Sequence, residues 1–420
     1  MDFGIILIYV ISYFGLFTGI YFLLTLFENK ENIRINGLNY HNLPIVSVIV
    51  PAFNEEKSIA KTLKSLLDLK YPKNKLQIIV VDDGSTDNTY NVAMSIKKRY
   101  NAKNLEIYKK ENGGKGSALN YGLKKAKGVF VGALDADSFV DKMALLNILP
   151  YFKNKKVMAV TPSLKVYQPK SILQRIQMVE YMIGVFLRKI FSFLGSIHVT
   201  PGPFTIYRKE FFDKYGFYDE NNLTEDIEIA LRIQKNGFEI ENSIDAEVYT
   251  VSPYHFKPLL NQRIRWYLGF IENVYNYRKL FNPEHGNLGL IVLPAAFISV
   301  FLLIVMFFYT IYKFLESTVK NLINYYNINF DLLRLFKINT DTFYINFSGY
   351  VLISFITLIL GLMIFFIAKI MSKENLNIKR NYLLYTLFYW MLFSFWWLSA
   401  IFLKISGKGL IWGKKKYGKK

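Results

Sequence analysis

Residues 3–27 contain no charged side chain, and that constrains the chain more than any other feature. A helix of this length reaches about 37 Å, enough to cross the roughly 30 Å of a bilayer core. A signal peptide would open on a basic segment and close on a small-residue cleavage site. Neither is present, so the stretch reads as an uncleaved transmembrane helix. Gly15 and Gly19 are spaced to mark a close helix contact, or are a chance pair. Further apolar spans follow at 288–312, 344–370 and 382–403. Such a chain must satisfy lipid at its ends and water in its middle.

Composition agrees with that division. Hydrophobic residues make up 52% of the chain and aromatics 17%, as expected where side chains gather at membrane interfaces. Cysteine is absent, which excludes disulfides, thiolate metal sites and cysteine nucleophiles. The net charge of +20 asks for an anionic partner. Lipid head groups and nucleotide phosphates fit better than nucleic acid, for which no basic-aromatic motif is present.

A polar linker, 28–43, gives way to a soluble α/β pattern. Short apolar runs at 44–50, 76–81, 105–108 and 129–134 read as buried strands. Helices are expected over 58–69, 89–100 and from the glycine-rich 113–117 to 126. Strands alternating with helices at this spacing imply a parallel sheet with right-handed crossovers. Polar clusters follow every strand, which is where open α/β sheets bind ligands.

The fourth strand runs into Asp135-Ala136-Asp137. Residues two apart on a strand point the same way, so both carboxylates are expected on one face. Their repulsion is relieved by a divalent cation with oxygen ligands, Mg²⁺ or Mn²⁺, bridging to a diphosphate. Solvated aspartates at a strand–turn junction are the plain alternative. Asp82 and Asp83 can accept bonds from a base or ribose, or cap the next helix. The glycines at 113–117 let the backbone approach phosphate and Lys115 adds charge. The spacing is not that of a Walker A loop, and a flexible linker has the same composition.

Together these segments resemble one family. VSVIVPAFNEE, VVDDGSTDNT, GGKGSALN and LDADS are similar to the nucleotide-sugar domain of family 2 glycosyltransferases. That domain has the GT-A fold, a Rossmann-like mixed α/β sheet, here embedded between transmembrane helices. The likeness continues through Thr200-Pro201-Gly202-Pro203-Phe204, Thr224-Glu225-Asp226 and Gln262-Arg263-Ile264-Arg265-Trp266, and covers 44–269. Q-x-x-R-W resembles the processive, membrane-embedded branch. GPFTIYRKEF followed by TEDIEIALRI is most like its poly-N-acetylglucosamine synthases.

The resemblance implies a role for each matched residue. Nucleotide-sugar contacts fall to Pro51, Ala52, Phe53, Glu55, Asp82, Asp83, Lys115, Asp135, Gln262, Arg265 and Trp266. Asp137, with Asp135 beside it, would hold Mg²⁺ or Mn²⁺. Asp226 would be the general base, with Glu225 next to it, and the reaction would invert the anomeric carbon. Gly202, Pro203 and Trp266 would meet the acceptor. Thr224 would at the same time cap the helix that follows. The implied partners are a UDP-sugar, a growing polysaccharide or lipid acceptor, membrane lipids and an accessory membrane subunit, with no nucleic acid.

The expected organisation is a transmembrane helix (1–27), a linker (28–43) and a cytosolic catalytic domain (44–256). An interfacial Q-x-x-R-W segment (257–280), a transmembrane region (288–403) and a basic tail (404–420) follow, all in the cell membrane. Residues 171–193 pattern as an interfacial amphipathic helix, or as a buried crossover helix. Four spans around a cytosolic domain leave the lysine-rich tail outside, against the positive-inside tendency. A re-entrant or interfacial C-terminal segment is the favoured resolution. A further span within 318–342, or a tail that breaks the rule, are the others. Three functions are open: a processive polysaccharide synthase, a single-sugar transferase acting on a lipid, and a membrane-anchored binding or transport protein. The intact motifs weigh against the last.

Overall fold

A computed structural model of the chain describes residues 3–35, 43–327, 348–374, 378–407, 410–412 and 415–417. Part of the linker, most of the segment in which a further span was weighed, and much of the basic tail therefore lie outside the described residues.

The first helix, α1 (Phe3–Glu28), is apolar on every face. The parallel half of the sheet follows as the alternation requires: β1 (Val46–Ala52), β2 (Leu76–Asp82), β3 (Leu105–Lys109) and β4 (Phe130–Ala133). They run parallel in the order β3-β2-β1-β4. Between them lie α2 (Ile59–Leu67), α3 (Thr89–Arg99) and α4 (Lys115–Lys125). Val48 and Val50 of β1 enter one core while Ile49 enters the other, as the two-residue period dictates. Both faces are covered, so the strand reads as a continuous apolar run.

The second half is mixed. β5 (Ser138–Val140), α5 (Ala144–Ile148), β6 (Val157–Val166) and α6 (Ile172–Phe193) come next. β7 (Ile206–Arg208), α7 (Lys209–Tyr215), α8 (Glu225–Lys235) and β8 (Glu239–Thr250) complete the sheet, which has eight strands. β7 is antiparallel to both β4 and β6, and β5 to β8, while β6 and β8 are parallel. Periodicity reveals a strand but not its direction, so a parallel sheet was legible only for β1–β4.

Helix α6 opens on a capping box made by Ser171 and Gln174. It packs against β6 and β8 on one side and the apolar helices on the other. Its Lys189 is buried and donates to the Asn242 carbonyl, so the helix is a packed layer despite its charges.

The chain continues in α9 (Phe256–Asn276), α10 (Leu293–Asn327), α11 (Gly349–Ser372) and α12 (Ile378–Ile405). Among the described residues four helices are long and apolar enough to cross a membrane: Phe3–Glu28, Leu288–Asn324, Gly349–Ser372 and Arg380–Ile405. Gly15 and Gly19 are where α1 meets α11. A Cβ at Gly19 would stand 2.7 Å from Leu360, and one at Gly15 would stand 3.4 Å from Thr357. The small residues permit that approach.

Candidate active site

The carboxyl ends of β1 and β2 supply the first wall. Ala52 ends β1 opposite Asp82, Pro51 precedes it, and Phe53 beyond them is exposed. Asp82 and Asp83 divide their work. Asp83 accepts from Gly113 N (3.0 Å), Gly114 N (2.8 Å) and Lys110 Nζ (2.7 Å), pinning the glycine-rich loop. Gly114 sits at φ 90°, where a side chain would be strained. Asp82 accepts from Ser85 N through Oδ1, while its buried Oδ2 has no partner among the described residues. A buried acceptor left unpaired is costly, and a ligand donor would satisfy it.

Asp135 and Asp137 lie beyond the end of β4, in a turn closed by Ser138 N on Asp135 O at 3.0 Å. They were expected at the carboxyl end of a strand running to Leu134. The ladder stops at Ala133, and Leu134 N makes one last bond to Ile49 O before the chain turns. Asp137 still feels the charge of Asp135. Burial, then Asp135 and Glu55, push the Asp137 carboxyl up to about 6. Glu55 is held by Ser58 and, through its amide, by Thr89 Oγ1 at 2.7 Å.

Lys115, the first residue of α4, ties this turn to the first turn of α8. Its Nζ lies 2.7 Å from Asp135 Oδ1 and 3.0 Å from Glu225 Oε1. Burial opposes its charge, but Asp135, Glu225 and Asp226 together raise the ammonium well above its usual range. The loop at Gly202 closes over the pair: a Cβ there would stand 2.9 Å from Lys115 Nζ and 3.4 Å from Asp135 Oδ2. Pro203 beside it is buried. Phe204, also buried, takes a left-handed backbone (φ 62°) and donates to Ala133 O at 2.5 Å. Such strain in a non-glycine residue gathers at functional loops.

Glu225 and Asp226 occupy the first turn of α8, where the helix dipole favours negative charge. Burial alone would raise Glu225, but Lys115 and Arg265 hold it below its ordinary value. Asp226 goes the other way: burial, then Glu225, push it up to about 6. The two neighbours are thus split into a fixed anion and a group that can exchange a proton. Thr224 precedes α8, yet its hydroxyl accepts from Asn273 Nδ2 at 2.9 Å instead of capping the helix. Gly269 allows that contact, since a Cβ there would stand 2.2 Å from Thr224 Oγ1.

Gln262, Trp266, Gly269 and Asn273 recur along α9 at helical spacing. Arg265 Nη1 donates to Leu223 O at 3.3 Å, and the Gln262 Oε1 is buried with no partner among the described residues. Arg263 is buried, donates to Glu180 Oε2 at 2.7 Å and lies over the Trp266 ring at 4.3 Å. Asn273, Arg263 and Glu180 were not singled out from the sequence. Asn273 shares the helical stripe of Trp266, and that spacing was the available signal. The Glu180–Arg263 pair joins residues too distant in the chain for any local pattern.

A mixed, Rossmann-like sheet carrying this row of acidic and basic groups at its carboxyl edge is a GT-A glycosyltransferase domain. Residues 47–216 match the model for Glycosyl transferase family 2, and this part of the chain is a family 2 domain. Among curated proteins the chain is 34% identical over 227 residues to a poly-beta-1,6-N-acetyl-D-glucosamine synthase of Staphylococcus epidermidis, covering 53% of this chain and 54% of that one. It is 33% identical over 235 residues to the enzyme of the same name from Staphylococcus aureus, covering 55% and 56%. The match thus spans about half the length of these relatives. Among solved structures, a mannosyltransferase from Pyrobaculum calidifontis, in complex with GDP-Man and Mn²⁺, aligns with a TM-score of 0.52. It is 21% identical, over 65% of this chain and 76% of that one, and shares the fold.

Proposed function

We propose that the chain is an inverting, processive glycosyltransferase that polymerises a sugar from a UDP-sugar, UDP-N-acetylglucosamine above all. The observation that carries the reading is the Lys115–Glu225–Asp226 arrangement, one half-buried cation dividing two adjacent carboxyls into an anion and a base. The acceptor hydroxyl gives its proton to Asp226 as its oxygen attacks the anomeric carbon. The bond from that carbon to the diphosphate breaks, UDP leaves, and the configuration inverts. Lys115 and Arg265 face the developing negative charge. Asp82, with its unpaired Oδ2, is the acceptor best suited to a base or ribose donor.

Among the described residues no group of three or more His, Cys, Asp or Glu is arranged to hold a metal ion. Two neighbouring carboxylates suit a hard cation that takes its remaining oxygens from substrate phosphates, as Mg²⁺ commonly does. Asp137 and Asp135 would hold such an ion, which when bound would neutralise the diphosphate. The bound Mn²⁺ of the mannosyltransferase that shares the fold supports the same reading.

The names of the two staphylococcal relatives support N-acetylglucosamine and a polymeric product. Trp266, an aromatic face beside Arg265, suits a sugar chain that must slide without losing its hold. The four apolar helices support a membrane protein that moves its polymer outward, with the catalytic domain in the cytosol where nucleotide sugars are made. Supplying the purified protein with a panel of labelled UDP-sugars and Mg²⁺ or Mn²⁺ tests the donor. Preferred release of UDP from UDP-N-acetylglucosamine is expected. Preference for another sugar would overturn the donor assignment.

A further inference from the structure

Below the site, Tyr181, Gly184 and Arg188 follow one another along α6 at three- and four-residue spacing and so share a face. All three are partly accessible, whereas Met182, Val185, Phe186 and Lys189 between them are buried. A Cβ at Gly184 would stand 3.3 Å from Arg188 Nη1, so the guanidinium folds back over the glycine toward Tyr181. Tyr181 in turn feels the charges of Arg263, Glu180, Arg188 and Asp137. The stripe therefore leads from the acidic turn into the helical bundle.

Aromatic groups continue the line. Phe191, one turn past Arg188, faces Phe22 of α1 at 5.8 Å and His198 at 5.4 Å. His198, which burial keeps toward its neutral form, faces Phe270 of α9 at 6.1 Å. Phe270 meets Trp397 of α12 at 5.9 Å.

Nε and Nη2 of Arg188 are buried, and no group among the described residues accepts a bond from either. Arg263 has Glu180, and Arg232 has Glu228 and the carbonyls of Tyr215 to Phe217, although each also keeps a buried Nε with no acceptor among the described residues. Burial pushes the Arg188 guanidinium down to about 10, which leaves it charged at neutral pH. Two buried N–H groups of a charged side chain left without an acceptor are costly, even where the residue as a whole is partly accessible. They persist where a ligand uses them.

We infer that Arg188 is a saccharide subsite, its Nε and Nη2 donating to hydroxyl or acetamido oxygens of the sugar chain after it has passed Trp266. The surroundings favour a neutral, acceptor-rich ligand over a phosphate. The guanidinium lies by Gly184 and Tyr181, with the Glu180 carboxylate of the same helix next to Tyr181, and a neighbouring carboxylate disfavours a phosphate. The inference rests on the polymerising reading given above.

Full-length protein in liposomes, supplied with UDP-N-acetylglucosamine, tests it through Arg188→Met and Arg188→Lys. Arg188→Met keeps length but removes donors and charge. Its melting temperature should equal or exceed wild type, because two buried donors without acceptors are gone, and its affinity for UDP should be unchanged. Its products should be shorter, with release per added sugar raised on the order of tenfold, the weight of charge-assisted bonds lost. Arg188→Lys should give intermediate lengths, and it carries the test if Arg188→Met fails to fold. Unchanged product length would overturn the subsite. So would a lowered melting temperature with parallel loss of UDP binding, which would make Arg188 structural. Wild-type product length that depends on anionic phospholipid, with the dependence lost in Arg188→Met, would assign the group to lipid phosphate instead. A wild type that adds a single sugar defeats the polymerising reading and the subsite with it. Wild-type polymer beside an unchanged variant defeats the subsite alone.

Discussion

Lys115 Nζ lies 2.7 Å from Asp135 Oδ1 and, on its other side, reaches Glu225. One ammonium therefore joins the acidic turn after β4 to the first turn of α8. Lys115 also helps hold Asp226 down against burial and Glu225. Lys115→Met should lower turnover and move the acid limb of the pH–rate profile to higher pH, because Asp226 then keeps its proton longer. Lys115→Arg should restore the limb toward wild type. A limb that stays in place in Lys115→Met would separate Lys115 from the base.

Asp226 must be unprotonated to accept a proton. With its carboxyl raised to about 6, the rate should fall as pH drops through that value and level off above it. Asp226→Asn keeps the shape but cannot act as a base. Turnover should fall by about two to four orders of magnitude while UDP binding survives. Equal loss of UDP binding would make the residue structural.

Much of this was legible in the sequence, for identifiable reasons. Strands β1, β2 and β4 announce themselves because a strand buried on both faces is a continuous apolar run. The acidic and glycine-rich segments stand out because each is contiguous. What stayed hidden depends on distance through space. Nothing local separates Asp82, with a free oxygen, from Asp83, whose oxygens are spent on the loop at Gly113 and Gly114. Thr224 stands where a cap belongs, yet Asn273 takes its hydroxyl from a helix 49 residues away. The pattern at 171–193 foretold a helix with two kinds of face. It left open that Lys189 would be buried and that Nε and Nη2 of Arg188 would find no acceptor among the described residues.

Asp137 and Asp135 carry the expectation of a divalent cation. Excess chelator should abolish turnover, and added Mn²⁺ or Mg²⁺ should restore it. Asp137→Ala should be inactive and beyond rescue by either ion. Full activity in chelator would remove the metal from the account.

Gly269 holds α9 against Thr224 without a side chain. Gly269→Ala would place a Cβ 2.2 Å from Thr224 Oγ1 and force the helix away from α8. A cost of about 1–3 kcal/mol is expected, seen as a lowered melting temperature together with reduced turnover. Gly361→Ala, where a Cβ meets nothing within 4 Å, should do neither.

The central claim is that the product is a polymer, and sizing it is the most direct test. Wild-type protein given excess UDP-N-acetylglucosamine and a divalent cation should yield chains many sugars long. Trp266→Ala should bind UDP yet fail to elongate, because the aromatic face that retains the chain is gone. A wild-type product that is only a singly glycosylated lipid would contradict the account.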